Sequence, residues 1–137
     1  MREILFRAKD EASNKWVYGY YVHLPSAAGS VHIMQVPAGN PDENNTTYYI
    51  IPETVGEYTG VTDKNGKKIF EGDIISFFDR DFLNSEVVFY KNAFMFRFIS
   101  EYVQKIRQQK YDLIFQNVSI CGEVIGNIHD NPELVEG

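Results

Sequence analysis

A single cysteine, Cys121, leaves the chain unable to close a disulfide within itself. It sits in the apolar-flanked stretch "VSICGEVIGNI", so we expect a small buried residue rather than a reactive thiol, in a reducing, cytoplasmic setting. Positive charge is also scarce. Thirteen Lys and Arg stand against 19 Asp and Glu, a net charge of -6, which argues against a broad phosphate-neutralising surface. The three histidines, His23, His32 and His129, have no Cys or His partner at zinc spacing, so no metal and no cofactor are expected. No apolar run is long enough for a membrane span, and the one in "MREILFRAKD" is too short for a signal segment. A phosphate-gripping loop is missing as well, because "TVGEYTG" lacks the Lys-Ser/Thr pair. None of the serines lies in a Gly-x-Ser-x-Gly elbow. There is no internal repeat and no low-complexity tract.

Aromatic residues are abundant: ten Phe, nine Tyr and one Trp among 137 residues. Such a chain has apolar surface enough for one ordinary domain or two small ones. "EILFRA" (3–8) and "KWVYGYYVH" (15–23) read as a strand pair joined by the polar "KDEASN". Neither side of the second run is plainly polar, and Gly19 marks a bend or a close backbone approach. "SVHIMQV" (30–36) and "TTYYII" (46–51) are further strands across a long solvated loop. Pro52 suits a short helical turn, and residues 52–65 are the expected hinge between an N-terminal part, 1–60, and a C-terminal part, 61–137. In the second part Lys64-Asn65-Gly66-Lys67 predicts a hairpin tip with a primed turn. "IISFF" (74–78) and "EVVFY" (86–90) read as strands across the loop "DRDFLNS", and "KNA" turns the chain into "FMFRFIS" (94–100). Helical spacing of Val103 and Ile106 predicts one or two turns over 101–109. "YDLIFQ" is extended, 118–128 is a last apolar strand, and Pro132 suits a turn or helix start.

The acids around the paired glycines of "TDKNGKKIFEGDII" (62–75) pose the main chemical question. Asp63-Lys64-Asn65-Gly66 has its Gly at the fourth position, where a calcium loop needs it at the sixth, so turn chemistry is the better account. Glu71-Gly72-Asp73 predicts a tight bend in which Asp73 caps backbone N–H groups. Asp79 and Asp81 flank Arg80, which can pair with either. The aromatic series Trp16, Tyr18, Tyr20, Tyr21 with Tyr48 and Tyr49 could stack bases, but so acidic a chain favours a core or a subunit interface.

Three blocks, "KWVYGYYV", "IPETVGEYTGVTDKNGKKIFEGDII" and "GEVIGNIHDNPEL", resemble the YopX family of small phage and prophage proteins, in the family's order and across nearly the whole chain. The resemblance implies an N-terminal β-rich part, a C-terminal part like an SH3-type barrel, and no activity, since the family's function is unknown. It also carries Gly56, Tyr58, Thr59, Gly60, Asp63, Gly66, Glu71, Gly72 and Asp73 over as motif positions. Val61, Thr62 and the insert at 38–45 depart from the family's pattern.

The expectation is therefore a mainly β, or β-dominated α+β, protein whose C-terminal residues 66–128 close into a small barrel. We expect a non-enzymatic accessory protein that works through a protein partner or as a homo-oligomer, with Trp16, Tyr18, Tyr20, Glu57, Tyr58, Asp63, Glu71 and Asp73 as the positions of interest. The alternative is an enzyme or ligand-binding protein with Glu53, Glu57, Asp63 and Asp73 lining a cleft. A third reading is nucleic-acid binding through Lys105, Arg107 and Lys110.

Overall fold

In a computed structural model, which describes residues 3–40, 42–113 and 117–136, the chain is mainly β, with two antiparallel sheets and few helices. It forms two compact units, Met1–Tyr58 and Thr59–Gly137.

In the first unit β1 (Phe6–Lys9) pairs with the first half of β2 (Trp16–Leu24), in register Phe6↔Gly19 to Lys9↔Trp16. The second half of β2 pairs instead with β3 (Val31–Val36), which in turn carries β4 (Thr46–Tyr49). The handover falls between Gly19 and Tyr20. There a Cβ built on Gly19 would lie 2.2 Å from the backbone oxygen of Gln35, so the close approach expected at this glycine is present. Beyond β4 the chain turns back beside the end of β1: Asp10 and Ile50 form a bridge, and the Ile51 N–H donates to the Lys9 carbonyl at 2.9 Å.

Side chains alternate across a strand, so one side of β2 collects Val17 and Tyr21 and the other Trp16, Tyr18, Tyr20, Val22 and Leu24. The first side is the core. Ala8, Met34 and Ile50 are buried there, with Phe6, Val17, Tyr21, Val36, Tyr48 and Val55 packed on them. Burying each large apolar side chain contributes roughly 1.5–3 kcal/mol.

A 3₁₀ turn at Pro52–Thr54 follows, as Pro52 suggested. Most of the remaining hinge is strand: β5 spans Gly56–Thr62, its first residues pairing with β1 and its end belonging to the second unit, and 63–65 are turn. Gly56 lies opposite Arg7, and Gly60 takes a positive φ of 91°, a conformation that glycine adopts without steric cost.

The second unit contains β6 (Lys68–Phe70) beside β5, and an open sheet of β7 (Asp73–Phe77), β8 (Arg80–Tyr90), β9 (Ala93–Phe98), β10 (Tyr111–Leu113) and β11 (Gly122–Asn127) in the order β10-β9-β8-β7-β11. The described residues form no closed barrel, because β10 and β11 end that order unpaired with each other. Ile69, Ile75, Val87, Phe96 and Val118 form its core.

Three local expectations need correction. Of the loop assigned to 79–85, residues 80–85 are strand, because Phe78 and Asp79, both at φ 55°, make a two-residue primed turn that pairs Phe77 with Arg80 and starts β8 at once. At 64–67 Gly66 alone takes a positive φ, 81°, and its N–H donates to the Asp63 carbonyl. That is a type I turn followed by a glycine bulge, not a primed turn. Residues Val118–Cys121 are a helical turn, α2, ahead of β11 rather than part of it, and Cys121 is half-buried. The helix expected over 101–109 is α1 (Glu101–Arg107), capped by Ser100 and closed by Gln108 in the left-handed region. The end of the expected extended run, 114–116, lies outside the described residues.

Candidate functional site

The acids of 62–75 turn inward onto backbone. Asp63 is 3% exposed. Its Oδ1 accepts the N–H groups of Asn65 and Lys67, and its Oδ2 accepts that of Val124, all at 2.9 Å. Burial pushes the Asp63 carboxyl up, but the donors Val124, Lys67 and Asn65 and the charge of Lys67 outweigh it and hold it below its ordinary value. Asp73, 1% exposed, accepts the Phe70 N–H at 2.8 Å and so fixes the Glu71-Gly72 bend. Both acids serve as braces for the chain, each in its own turn. Glu71 and Glu57 are half-buried, and Glu57 stands opposite Phe6 in the β1–β5 pair. Tyr58 is buried, with its backbone N–H on the Leu5 carbonyl. Glu53 is exposed on the 3₁₀ turn.

The aromatic residues of β2 divide differently. Trp16 is half-buried beneath two cations: the Arg7 guanidinium carbon lies 4.5 Å and the Lys9 Nζ 5.5 Å from its ring centre. Tyr18 and Tyr20 are open to solvent, Tyr20 at 56%. Cross-strand register extends their side of the sheet in rows, because directly paired residues share a face. Tyr20 stands opposite Gln35 and Gln35 opposite Thr47; Val22 stands opposite Ile33 and Ile33 opposite Tyr49, itself 65% exposed; Leu24 stands opposite Val31. The result is a tyrosine-rich apolar surface on which, among the paired residues of β1–β4, formal charge is confined to Arg7 and Lys9, both buried beside Trp16. Tyr49 was singled out from the sequence with Tyr48, whereas Val22, Ile33 and Leu24 were not. Their signal was the period-2 pattern of three strands, which identifies a surface once register is known.

Register also joins two histidines that look scattered in the sequence. His23 lies directly opposite His32, their rings stacked at 4.4 Å and 7°, and the Tyr21 Oη lies 2.7 Å from His32 Nδ1.

In the second unit an apolar cavity of about 200 Å³ is lined by Phe77, Leu83, Phe96, Phe98 and Cys121, with Arg107 and Asp112 at its wall. Arg107 Nη2 contacts Asp112 Oδ2 at 3.2 Å, and the guanidinium lies 5.1 Å from the Phe98 ring centre. Lys105, Arg107 and Lys110 of the basic strip are all exposed, and Arg107 is paired with an acid, Asp112. Among the described residues no helix is long and apolar enough to cross a membrane.

A family model described as YopX protein matches residues 5–136. The crystal structure of protein EF1440 from Enterococcus faecalis is similar at a TM-score of 0.59 and 24% identity, covering 99% of this chain and 100% of that one. At that identity the likeness concerns the fold. No curated protein matches the chain.

Proposed function

Since the chain belongs to the YopX family, we propose that it is a non-enzymatic phage or prophage accessory protein acting in the cytoplasm of a bacterial host, and that it works by holding a protein surface against the tyrosine face of its N-terminal sheet. The observation that supports this is the open row of Tyr18, Tyr20 and Tyr49 on a face with no exposed charge, in a chain carrying 32 charged residues. Large exposed apolar patches on soluble proteins mark interaction sites, and tyrosine supplies wide contact area at low entropic cost. A second copy of the chain fits the same face, since two uncharged surfaces avoid the repulsion that a net charge of -6 imposes elsewhere. The acids, by contrast, are engaged by backbone at Asp63 and Asp73 and offer little to the cleft reading.

The test pairs Tyr20→Asp with Tyr49→Asp in one chain, beside Phe82→Asp on the exposed start of β8 as a control. We expect the wild type and the control to share an assembled mass in solution or a common bound host protein, and the double variant to lose it by at least about 100-fold in affinity, as removal of central aromatic anchors does. Indistinguishable mass and binding for all three chains would end the reading.

A further inference from the structure

We propose that His23 and His32 form a two-imidazole binding site for a divalent transition-metal ion such as Cu²⁺, Ni²⁺ or Zn²⁺. This reading is independent of the tyrosine face, because the two histidines lie on the other side of the β2–β3 pair, in line with Tyr21.

Three observations carry it. The first is placement: β2 and β3 set the two residues directly opposite one another, which fixes both side chains on one face without any loop. Sites built on strands hold their ligands more firmly than sites built on loops. The second is spacing. Directly opposite residues bring their Cβ atoms to roughly 4.5–5.5 Å, a span that two imidazoles can close through one ion. The rings stack face to face at 4.4 Å and 7°, so the exposed His23 ring must rotate out of the stack to bring its lone pair to an ion that enters from solvent onto His32.

The third is the phenol. Tyr21 Oη lies 2.7 Å from His32 Nδ1. When His32 keeps its proton on Nδ1 and donates it to the phenol oxygen, the lone pair of Nε2 is left free. That is the arrangement a metal-binding histidine needs, with its second nitrogen anchored to an oxygen that sets tautomer and ring orientation. Tyr21 is itself held by the core, with the Phe6 ring centre 5.8 Å away.

Imidazole pairs suit Cu²⁺, Ni²⁺ and Zn²⁺, and the expected order of affinity has Cu²⁺ highest. Among the described residues no group of three or more His, Cys, Asp and Glu could hold a metal, so water fills the remaining positions and the affinity is modest. Mg²⁺ and Ca²⁺, which need oxygen ligands, are not expected to bind here.

The untagged full chain is titrated with each chloride salt by calorimetry, and the Cu²⁺ complex is examined by electron paramagnetic resonance. We expect one ion per chain, with hyperfine coupling to two nitrogens. His23→Gln and His32→Gln should each weaken Cu²⁺ binding at least tenfold, and Tyr21→Phe should weaken it severalfold by releasing the His32 ring. His129→Gln, in the turn after β11, should leave it unchanged. His23→Gln alters an exposed side chain, so it keeps the test valid if His32→Gln fails to fold. No Cu²⁺ binding up to about 1 mM, a single coordinated nitrogen, or wild-type affinity in His23→Gln would each overturn the proposal.

Discussion

Asp63→Ala is expected to destabilise the second unit by about 3 kcal/mol or more, measured as the shift of its guanidinium unfolding transition at neutral pH. Three backbone N–H groups, on Asn65, Lys67 and Val124, converge on this one carboxylate, and alanine leaves all of them without it. Hydrogen bonds to a charged acceptor contribute roughly 1.5–3 kcal/mol each, and the three are not additive because they share an acceptor. The loss is also topological. Oδ1 closes the β5–β6 hairpin tip, whereas Oδ2 ties that tip to β11, 61 residues further along the chain. Asp63→Asn keeps the first function and spoils the second if its amide NH₂ faces the Val124 N–H, so it should cost less than alanine and more than nothing. A loss below about 1 kcal/mol for alanine would show that the acid does not brace the turn.

The same carboxylate links stability to acid. Its folded pKa lies below the value of an unfolded aspartate, so the unfolded chain takes up the proton more readily. The contribution is fully present above about pH 4, the ordinary range of the group, and disappears as pH falls through the lowered folded value. Asp10 acts in the same direction, chiefly through the Ser13 hydroxyl and, against an opposing effect of burial, through the N–H groups of Ala12 and Ser13. Stability followed from pH 5 downward should therefore fall less steeply for Asp63→Asn than for the wild type. Parallel curves would remove Asp63 from the acid response.

What the sequence disclosed follows the range over which each feature is encoded. The strands of the first unit, the turn at Lys91-Asn92, the 3₁₀ turn at Pro52 and the bracing role of the acids are local, and residue type alone carries them. The turn at Phe78-Asp79 is not. Asp79 tolerates positive φ but Phe78 does not, and the pairing of Phe77 with Arg80 within a long hairpin holds it there. Arg80 and Asp81 read as loop because the start of β8 is exposed and its polarity imitates a turn, and Asn84 and Ser85 are polar residues set in the strand with Ser85 fully buried. Val118–Cys121 read as strand from its β-branched residues, whereas burial of Val118 in the core and the close fit of Gly122 against it set a helical turn. Register lies furthest out of reach. The tyrosine face and the histidine pair both depend on which residue of β3 stands opposite which of β2, and nothing in either strand alone states that.

That register is held at one point where a single methyl group should be decisive. Gly19→Ala is expected to cost the first unit about 3 kcal/mol or more, at the upper end of overpacking changes. The added Cβ would lie 2.2 Å from the Gln35 oxygen, 3.0 Å from its carbonyl carbon and 3.2 Å from the Val36 Cα. All three are backbone atoms, so no side chain can swing aside; β3 itself must move. It has little room to do so, because Met34, one residue away, is fully buried, and β3 is held on its other edge by β4. Gly39→Ala is the matched control, since a Cβ there meets nothing within 4 Å. Denaturant unfolding should separate the two variants by several kcal/mol, and the alanine at 19 should also weaken Cu²⁺ binding, since His32 moves with β3. Equal stability for the two would mean that β3 does not cross Gly19 as closely as described, and the register that brings Tyr20, Tyr49, His23 and His32 into place would lose its anchor.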